Sequence, residues 1–146
     1  MQEKKVIHEC TAKIQNLTPE ILSQADCLEI NYGPASCTLQ ELEFLMALLK
    51  DCPTIKSLDL NSNELGDEGA CALAEALKCN TTLKSLDLSG CKISIKGALE
   101  IAKALECNKT LTRLYLSYNK IDGKCAEEIV EALKCNTALN RENLSY

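Results

Sequence analysis

The sequence predicts an α/β solenoid in which each turn of the stack contributes one short parallel strand and one helix. Three observations carry that expectation. The chain repeats with a period of 28 residues, the first part of each unit alternates apolar and polar residues at period two, and the second part places apolar residues at helical spacing. The segments IKSLDLNSNELGDEGACALAEALKCNTT (55–82), LKSLDLSGCKISIKGALEIAKALECNKT (83–110) and LTRLYLSYNKIDGKCAEEIVEALKCNTA (111–138) align without gaps, and a partial copy covers 139–146. A unit of this size cannot enclose a core alone, so the copies have to stack.

Taken in order, residues 1–24 fit the period poorly and are read as an N-terminal cap or degenerate repeat, with Thr18 before Pro19 marking a helix start. The array proper is assigned to 25–146. Its first unit, 25–54, carries a two-residue insertion near Tyr32 to Thr38. Thr38 with Glu41 three residues on is a capping box, and Leu42, Leu45, Met46 and Leu49 mark the buried stripe of the helix that follows. In the next three units Leu58 and Leu60, Leu86 and Leu88, and Leu114 and Leu116 form the inward side of strands. The helices carry Ala70, Leu73, Ala74 and Leu77, then Ala98, Ile101, Ala102 and Leu105, then Ala126, Ile129, Val130 and Leu133.

The pattern Leu-x-x-Leu-x-Leu-x-x-Asn/Cys-x-Leu reads here as Ile55, Leu58, Leu60, Asn63, Leu65, then Leu83, Leu86, Leu88, Cys91, Ile93, then Leu111, Leu114, Leu116, Asn119, Ile121. On these residues the chain resembles the ribonuclease-inhibitor-like leucine-rich-repeat family over 25–146. The resemblance implies a leucine-rich-repeat solenoid, with a curved parallel β-sheet on the concave side and α-helices on the convex side. It also implies that Asn63, Cys91 and Asn119 form a buried structural column bonded to neighbouring loop backbone. Gly33 stands in that column in the first unit, so the column is expected to fail there. Similar repeats occur in ribonuclease inhibitors, in the sensing arms of nucleotide-binding immune receptors and in bacterial proteins delivered into host cells, all of which bind other proteins.

Composition narrows the function. With 146 residues the chain fits one domain, and one Phe, four Tyr and no Trp leave Leu, Ile and Ala to fill thin repetitive layers. The net charge of −5, spread without a basic block, argues against a nucleic-acid partner. No apolar run is long enough to cross a membrane, and the N-terminal residues MQEKKVIHEC lack the apolar core of a signal peptide, so a cytoplasmic protein with no membrane partner is expected. The ten cysteines are then expected to be reduced. No Cys-x-x-Cys occurs and His8 is the single histidine, so neither a metal site nor a cofactor is implied. Asn16, Asn80, Asn108 and Asn143 begin glycosylation sequons that matter only in the secretory pathway. Cys79, Cys107 and Cys135, each just after a helix, are read as structural and unbonded to one another. Cys71 and Cys125, near helix starts, are the candidates for exposed reactive thiols.

No segment supplies a nucleophile with its base, a phosphate loop or a metal set, so no catalytic role is expected. On the helix side, Glu75 with Lys78, Lys103 with Glu106 and Glu131 with Lys134 form pairs three residues apart, an alternating grid that neutralises itself. The strand side offers more. Its central column is Glu29, Asp59, Asp87, Tyr115 and Asn143, preceded by Cys27, Ser57, Ser85, Arg113 and Arg141, and flanked at the rim by Tyr32, Ser62, Gly90, Tyr118 and Tyr146. An acidic stripe thus runs into a patch of Arg and Tyr, residue types that dominate many interfaces. The partner-binding candidates are Glu29, Asp59, Asp87, Arg113, Tyr115, Tyr118 and Arg141, and the expected partner is another protein. In the partial last unit Glu142 falls in the column of Leu58, Leu86 and Leu114, leaving Leu139 and Leu144 at an open edge through which the chain is alternatively a self-assembling scaffold or a piece of a longer array. Activators of the Ran GTPase use similar repeats, which makes a GTPase-activating regulator the other alternative; Arg113 and Arg141 are the only arginines in the sequence to serve it.

Overall fold

The computed structural model describes residues 6–10, 16–31, 38–50, 52–140 and 144–145. Strands and helices alternate: β1 (Val6–Cys10), α1 (Pro19–Leu22), β2 (Cys27–Asn31), α2 (Leu39–Lys50), β3 (Ser57–Asp59), α3 (Gly66–Cys79), β4 (Ser85–Asp87), α4 (Ile95–Cys107), β5 (Arg113–Tyr115), α5 (Gly123–Ala132) and β6 (Leu144–Ser145), with a 3₁₀ turn at Leu133–Cys135. All pairings are parallel and the sheet order β1-β2-β3-β4-β5-β6 follows the chain, so every connection is a crossover through a helix. Strands stack about 4.8 Å apart and helices about 8–10 Å apart, so the stack bends with its strands inside. The chain is an α/β leucine-rich-repeat solenoid, with the sheet concave and the helices convex.

The core is a set of leucine layers. Leu58, Leu86 and Leu114 pair in register at the middle of β3, β4 and β5, and with Leu60, Leu88 and Leu116 they are buried. From the opposite side come Leu42, Leu45 and Leu49 of α2, Ala70, Leu73, Ala74 and Leu77 of α3, and Ala98, Ile101, Ala102 and Leu105 of α4. Each large apolar side chain fully buried this way contributes about 1.5–3 kcal/mol. Of the four residues in the last helical stripe, Ile129 and Leu133 are buried and Ala126 and Val130 half-buried.

Both helix-start signals are made. Thr18 Oγ1 accepts from Ile21 N ahead of Pro19, and Thr38 and Glu41 close the reciprocal box, with Thr38 N donating to Glu41 Oε2 at 2.9 Å and Glu41 N to Thr38 Oγ1 at 3.2 Å. The α3–α4 joint has a clamp of its own: Asp67 Oδ1 accepts from Ser94 N (2.8 Å) and Gly97 N (3.2 Å), and Asp67 Oδ2 from Ser94 Oγ (2.6 Å). A carboxylate of one helix therefore caps the N-terminus of the next. Gly97 allows the approach, because a Cβ there would meet Asp67 Oδ1 at 2.6 Å and the Ala70 methyl at 2.9 Å.

Several expectations are corrected. The chain before residue 25, which fits the period poorly, carries the strand β1, paired with β2 at the register Val6↔Cys27, an interval shorter than 28 residues. At the other end Leu144, not Glu142, pairs with Leu114, and Ser145, not Asn143, pairs with Tyr115. A two-residue slip keeps the same residues on each side of the strand and puts a leucine in register with the leucine column. On α4, Lys103 pairs with Glu100 at 2.7 Å and not with Glu106, so the pairs Glu75–Lys78, Glu100–Lys103 and Glu131–Lys134 share one polarity and the alternating grid does not form. Helical side chains lean toward the N-terminus, which brings a lysine back onto a glutamate one turn earlier. Leu139 is buried, not left at an open edge.

Candidate functional site

The strand face is built by three-residue strands whose middle leucine points into the core and whose two flanking residues point the other way. Registers Glu29↔Asp59, Asp59↔Asp87 and Asp87↔Tyr115 bring the acidic column together, and Ser57↔Ser85 and Ser85↔Arg113 bring the one beside it. Glu29, Asp59, Asp87, Arg113 and Tyr115 are half-buried. Ser85, only 7% exposed, is buried beside the larger Arg113, so this column is recessed at β4. Arg141 lies outside the described residues, as do Tyr32 and Gly33.

Electrostatics within the column are strained. Burial pushes the Asp59 carboxyl up from its ordinary range, and the charges of Asp87 and Glu29 push it further, against a bond accepted from Asn61 N at 2.8 Å. Asp87 accepts the equivalent bond from Ser89 N at 2.8 Å. The Cys27 thiol is raised in the same way, by burial first and then by Glu29, Asp26 and Asp59, against a bond with Ser57. At the positive end, Arg113 Nε is buried without a hydrogen-bond partner among the described residues.

Beyond the strands a ladder of backbone bonds continues, with Leu60 N donating to Asp87 O, Ser62 N to Ser89 O, Leu88 N to Tyr115 O and Gly90 N to Ser117 O, all at 2.8–2.9 Å. Beneath it, Asn63 Nδ2 donates to Leu60 O (2.7 Å), Cys91 Sγ to the same carbonyl (3.1 Å), and Asn119 Nδ2 to Leu88 O (2.8 Å) and Leu116 O (2.9 Å). Asn63 and Cys91 are fully buried and Asn119 half-buried. This bonding forces the rim position of each unit into the left-handed region: Ser62 has φ 60, Gly90 φ 65 and Tyr118 φ 58. Glycine takes that conformation freely, whereas a bulky residue does so at a cost of about 1–2 kcal/mol. Tyr118 nevertheless occupies it and is 92% exposed.

A second polar ladder was not anticipated. Asn108 Nδ2 donates to Leu77 O and Asn80 O, and Asn136 Nδ2 to Leu105 O and Asn108 O, while the side-chain oxygens of Asn80, Asn108 and Asn136 accept from the two backbone N–H groups that begin the next strand segment. The ladder's signal in the sequence is the Cys-Asn pair that recurs at 79–80, 107–108 and 135–136. Asn108 is 2% exposed, so its sequon is closed to modification. Cys79, Cys107 and Cys135 are instead exposed and free, whereas Cys71 is half-buried, the reverse of the expected order; the Cys125 side chain lies outside the described residues. Among the described residues no group of three or more His, Cys, Asp or Glu is placed to hold a metal ion, and no helix is long and apolar enough to cross a membrane.

This architecture defines a repeat protein built from stacked strand–helix units. Residues 51–74, 79–102 and 107–130 each match the leucine-rich-repeat family. Among solved structures the chain is similar to leiomodin-1 actin-binding site 2, at 33% identity and TM-score 0.72 over 92% of this chain and 75% of that one. It also resembles, in fold alone, the tropomodulin C-terminal domain of Caenorhabditis elegans (16% identity, TM-score 0.61, covering 92% and 84%). The same holds for TLR13 in its complex with ssRNA13 (17% identity, TM-score 0.58, covering 92% and 18%). No curated protein gives a significant match. The chain belongs to the leucine-rich-repeat family.

Proposed function

We infer that this protein is an interaction module that binds a partner protein on its concave strand face, through Glu29, Asp59, Asp87, Arg113, Tyr115, Tyr118 and Arg141. The observation that carries the reading is Tyr118. A side chain that is 92% exposed makes little contact within the chain, yet it is held at φ 58, where the preceding unit has Gly90. The backbone ladder sets that conformation, as it does at Ser62, so what calls for an external contact is the choice of a fully exposed aromatic at a position that glycine fills without strain. The half-buried carboxylates beside it add a repulsion that a partner would relieve.

The array is best described as ribonuclease-inhibitor-like, with residues 1–24 a degenerate repeat and Asn63, Cys91 and Asn119 its structural loop column. Supporting this are registers that step by 28 residues from Ser57 to Ser85 to Arg113 and the presence of β1 and α1 before residue 25. Its role is binding in the cytoplasm, not catalysis. Actin is the first partner to assay, because the segment of leiomodin-1 it resembles is an actin-binding site.

The test is affinity capture, from cytosol and with purified actin, by the intact chain, by Asp59→Lys/Asp87→Lys/Tyr115→Ala, and by a convex-face control, Glu75→Lys/Glu131→Lys. Each variant is first shown to be folded by circular dichroism. A protein held by the intact chain and the control but lost by the strand-face variant supports the reading. Retention by the strand-face variant and loss by the control would refute it.

A further inference from the structure

The asparagine ladder that ties the helical units together lacks one rung. Across the α3–α4 joint Asn108 Nδ2 donates to Leu77 O (2.8 Å) and Asn80 O (3.0 Å), and Asn136 makes the same pair of bonds to Leu105 O and Asn108 O one unit later. Asn80 holds the equivalent place at the α2–α3 joint, 28 residues after Cys52. Its Oδ1 accepts from Thr82 N (3.0 Å) and Leu83 N (2.9 Å), which fixes the orientation of the amide. Among the described residues its Nδ2 donates to nothing. Leu49 O, the counterpart of Leu77 O, accepts instead from Cys52 N at 3.3 Å.

The joint is open where the rung is missing. A cavity of about 260 Å³ lies between α2 and α3, walled by Met46, Ala47, Ala76, Leu77 and Leu83. Ala104, which stands 28 residues after Ala76, is fully buried at the closed α3–α4 joint, whereas Ala76 is half-buried. At the roughly 30 Å³ that one water takes up in the liquid, the space holds a molecule of about nine non-hydrogen atoms.

The unspent polar groups of this cavity are donors. Asn80 and Lys50 both line it, and among the described residues the Lys50 ammonium forms no ion pair or hydrogen bond. Glu75, the carboxylate in the wall, is already held by Lys78 at 2.5 Å. The negative ends of α2 and α3 point here, and Lys50, in the last turn of α2, sets a full positive charge against those partial ones. Apolar walls with two free donors at one end fit an apolar body that carries an anionic acceptor. We propose that the groove between α2 and α3 is a binding site for a small apolar carboxylate, whose body lies against Met46, Ala47, Ala76 and Leu83 and whose head accepts from Asn80 Nδ2 and Lys50 Nζ. The ligand then bridges the one joint that the asparagine ladder leaves unbridged, on the side of the molecule away from the strand face.

Cys79 reports on the site, because it lines the groove and is free and exposed, while Cys107 and Cys135 repeat at the ends of the next two helical units as internal references. Iodoacetamide alkylation of the three thiols is followed by peptide mass spectrometry on the full chain, with and without heptanoate, a probe of the cavity's size. With heptanoate at about 5 mM and a Kd near 1 mM, the factor 1 + [L]/Kd predicts that Cys79 is alkylated about sixfold more slowly while Cys107 and Cys135 are unchanged. Heptylamine, with the same body and the opposite charge, should not protect. Asn80→Asp keeps an oxygen for Thr82 N and Leu83 N but replaces the donors by a charge of the ligand's own sign, and should abolish the protection. Ala47→Leu, which fills the groove from the exposed side of α2, should do the same. Both variants are first shown to be folded by circular dichroism. Cys79 alkylated at an unchanged rate, all three thiols slowed alike, heptylamine as effective as heptanoate, or protection that persists in Asn80→Asp would each overturn the inference.

Discussion

Tyr118 and Asn108 mark two opposite uses of a single residue. Replacing Tyr118 by glycine should relieve about 1–2 kcal/mol of left-handed strain against about 0.5–1 kcal/mol of added chain entropy. The variant should therefore be more stable by roughly 0.5–1 kcal/mol in urea melts while binding its partner more weakly; a less stable protein with intact binding would contradict the role given to the tyrosine. Asn108 does the reverse, since its buried amide satisfies two carbonyls and two N–H groups across a joint between units. Asn108→Ala should cost about 2–4 kcal/mol in the same melts without a change in the residues that face a partner. Neither role was fully visible in the sequence. The exposure of Tyr118 followed from its place in the rim column, but its positive φ depends on the ladder of bonds beneath it. The cysteines beside the asparagines were misjudged because one residue rotates a helical side chain by about 100°, enough to move a thiol from the core to the surface.

Helices and strands were legible where periodicity alone decides the outcome. The leucines of β3–β5 and the inward stripes of α2, α3 and α4 lie where their spacing placed them, because each alternative exposes a row of apolar side chains. Where the period breaks, the registers were not legible: β1 pairs with β2 across a shorter interval, and β6 slips by two residues. The α3–α4 clamp is not legible in the repeat, since Asp67 has no counterpart in the neighbouring units, where Ile95 and Gly123 stand. At that joint Gly97→Ala should cost about 1–3 kcal/mol from overpacking against Asp67 and Ala70, measured by thermal or urea unfolding. The pH dependence has two opposing parts. Burial works to raise the Asp67 carboxyl, but the bonds from Ser94 and Gly97 and the charge of Lys96 outweigh it and hold the carboxyl below its usual range. Its contribution is therefore complete above about pH 4 and is lost as pH falls through the lower folded value. Asp59, raised in the folded state, acts in the other direction: stability it contributes at low pH is lost as pH rises through its folded value. Asp67→Asn should flatten the acid-side loss, and Asp59→Asn should remove the decline above it; unchanged profiles would show that neither carboxyl is coupled to folding.

At the scale of the whole molecule the proposed function has the solenoid separate structure from recognition. The convex side neutralises its own charge through glutamate–lysine pairs one turn apart, each contributing a few tenths of a kcal/mol, and its role is to hold the curvature. The concave side carries a column of half-buried carboxylates, an arginine buried at one nitrogen and a strained tyrosine. The leucine-rich-repeat fold was readable from several concordant copies, whereas a docking face is a property of columns that form only after stacking, and its occupant is set by chemistry outside the chain. The molecule carries chemical reporters on both sides: Tyr115 and Tyr118 on the strand side, and the free, exposed Cys79 and Cys107 at the ends of the helices. The most direct measurement is therefore footprinting of the complex with a captured partner, by hydroxyl-radical oxidation of the tyrosines and alkylation of the thiols in one sample. Protection of Tyr115 and Tyr118 with Cys79 and Cys107 still alkylated is the predicted result. Protected thiols with both tyrosines still oxidised would place the partner on the helix side and contradict the account.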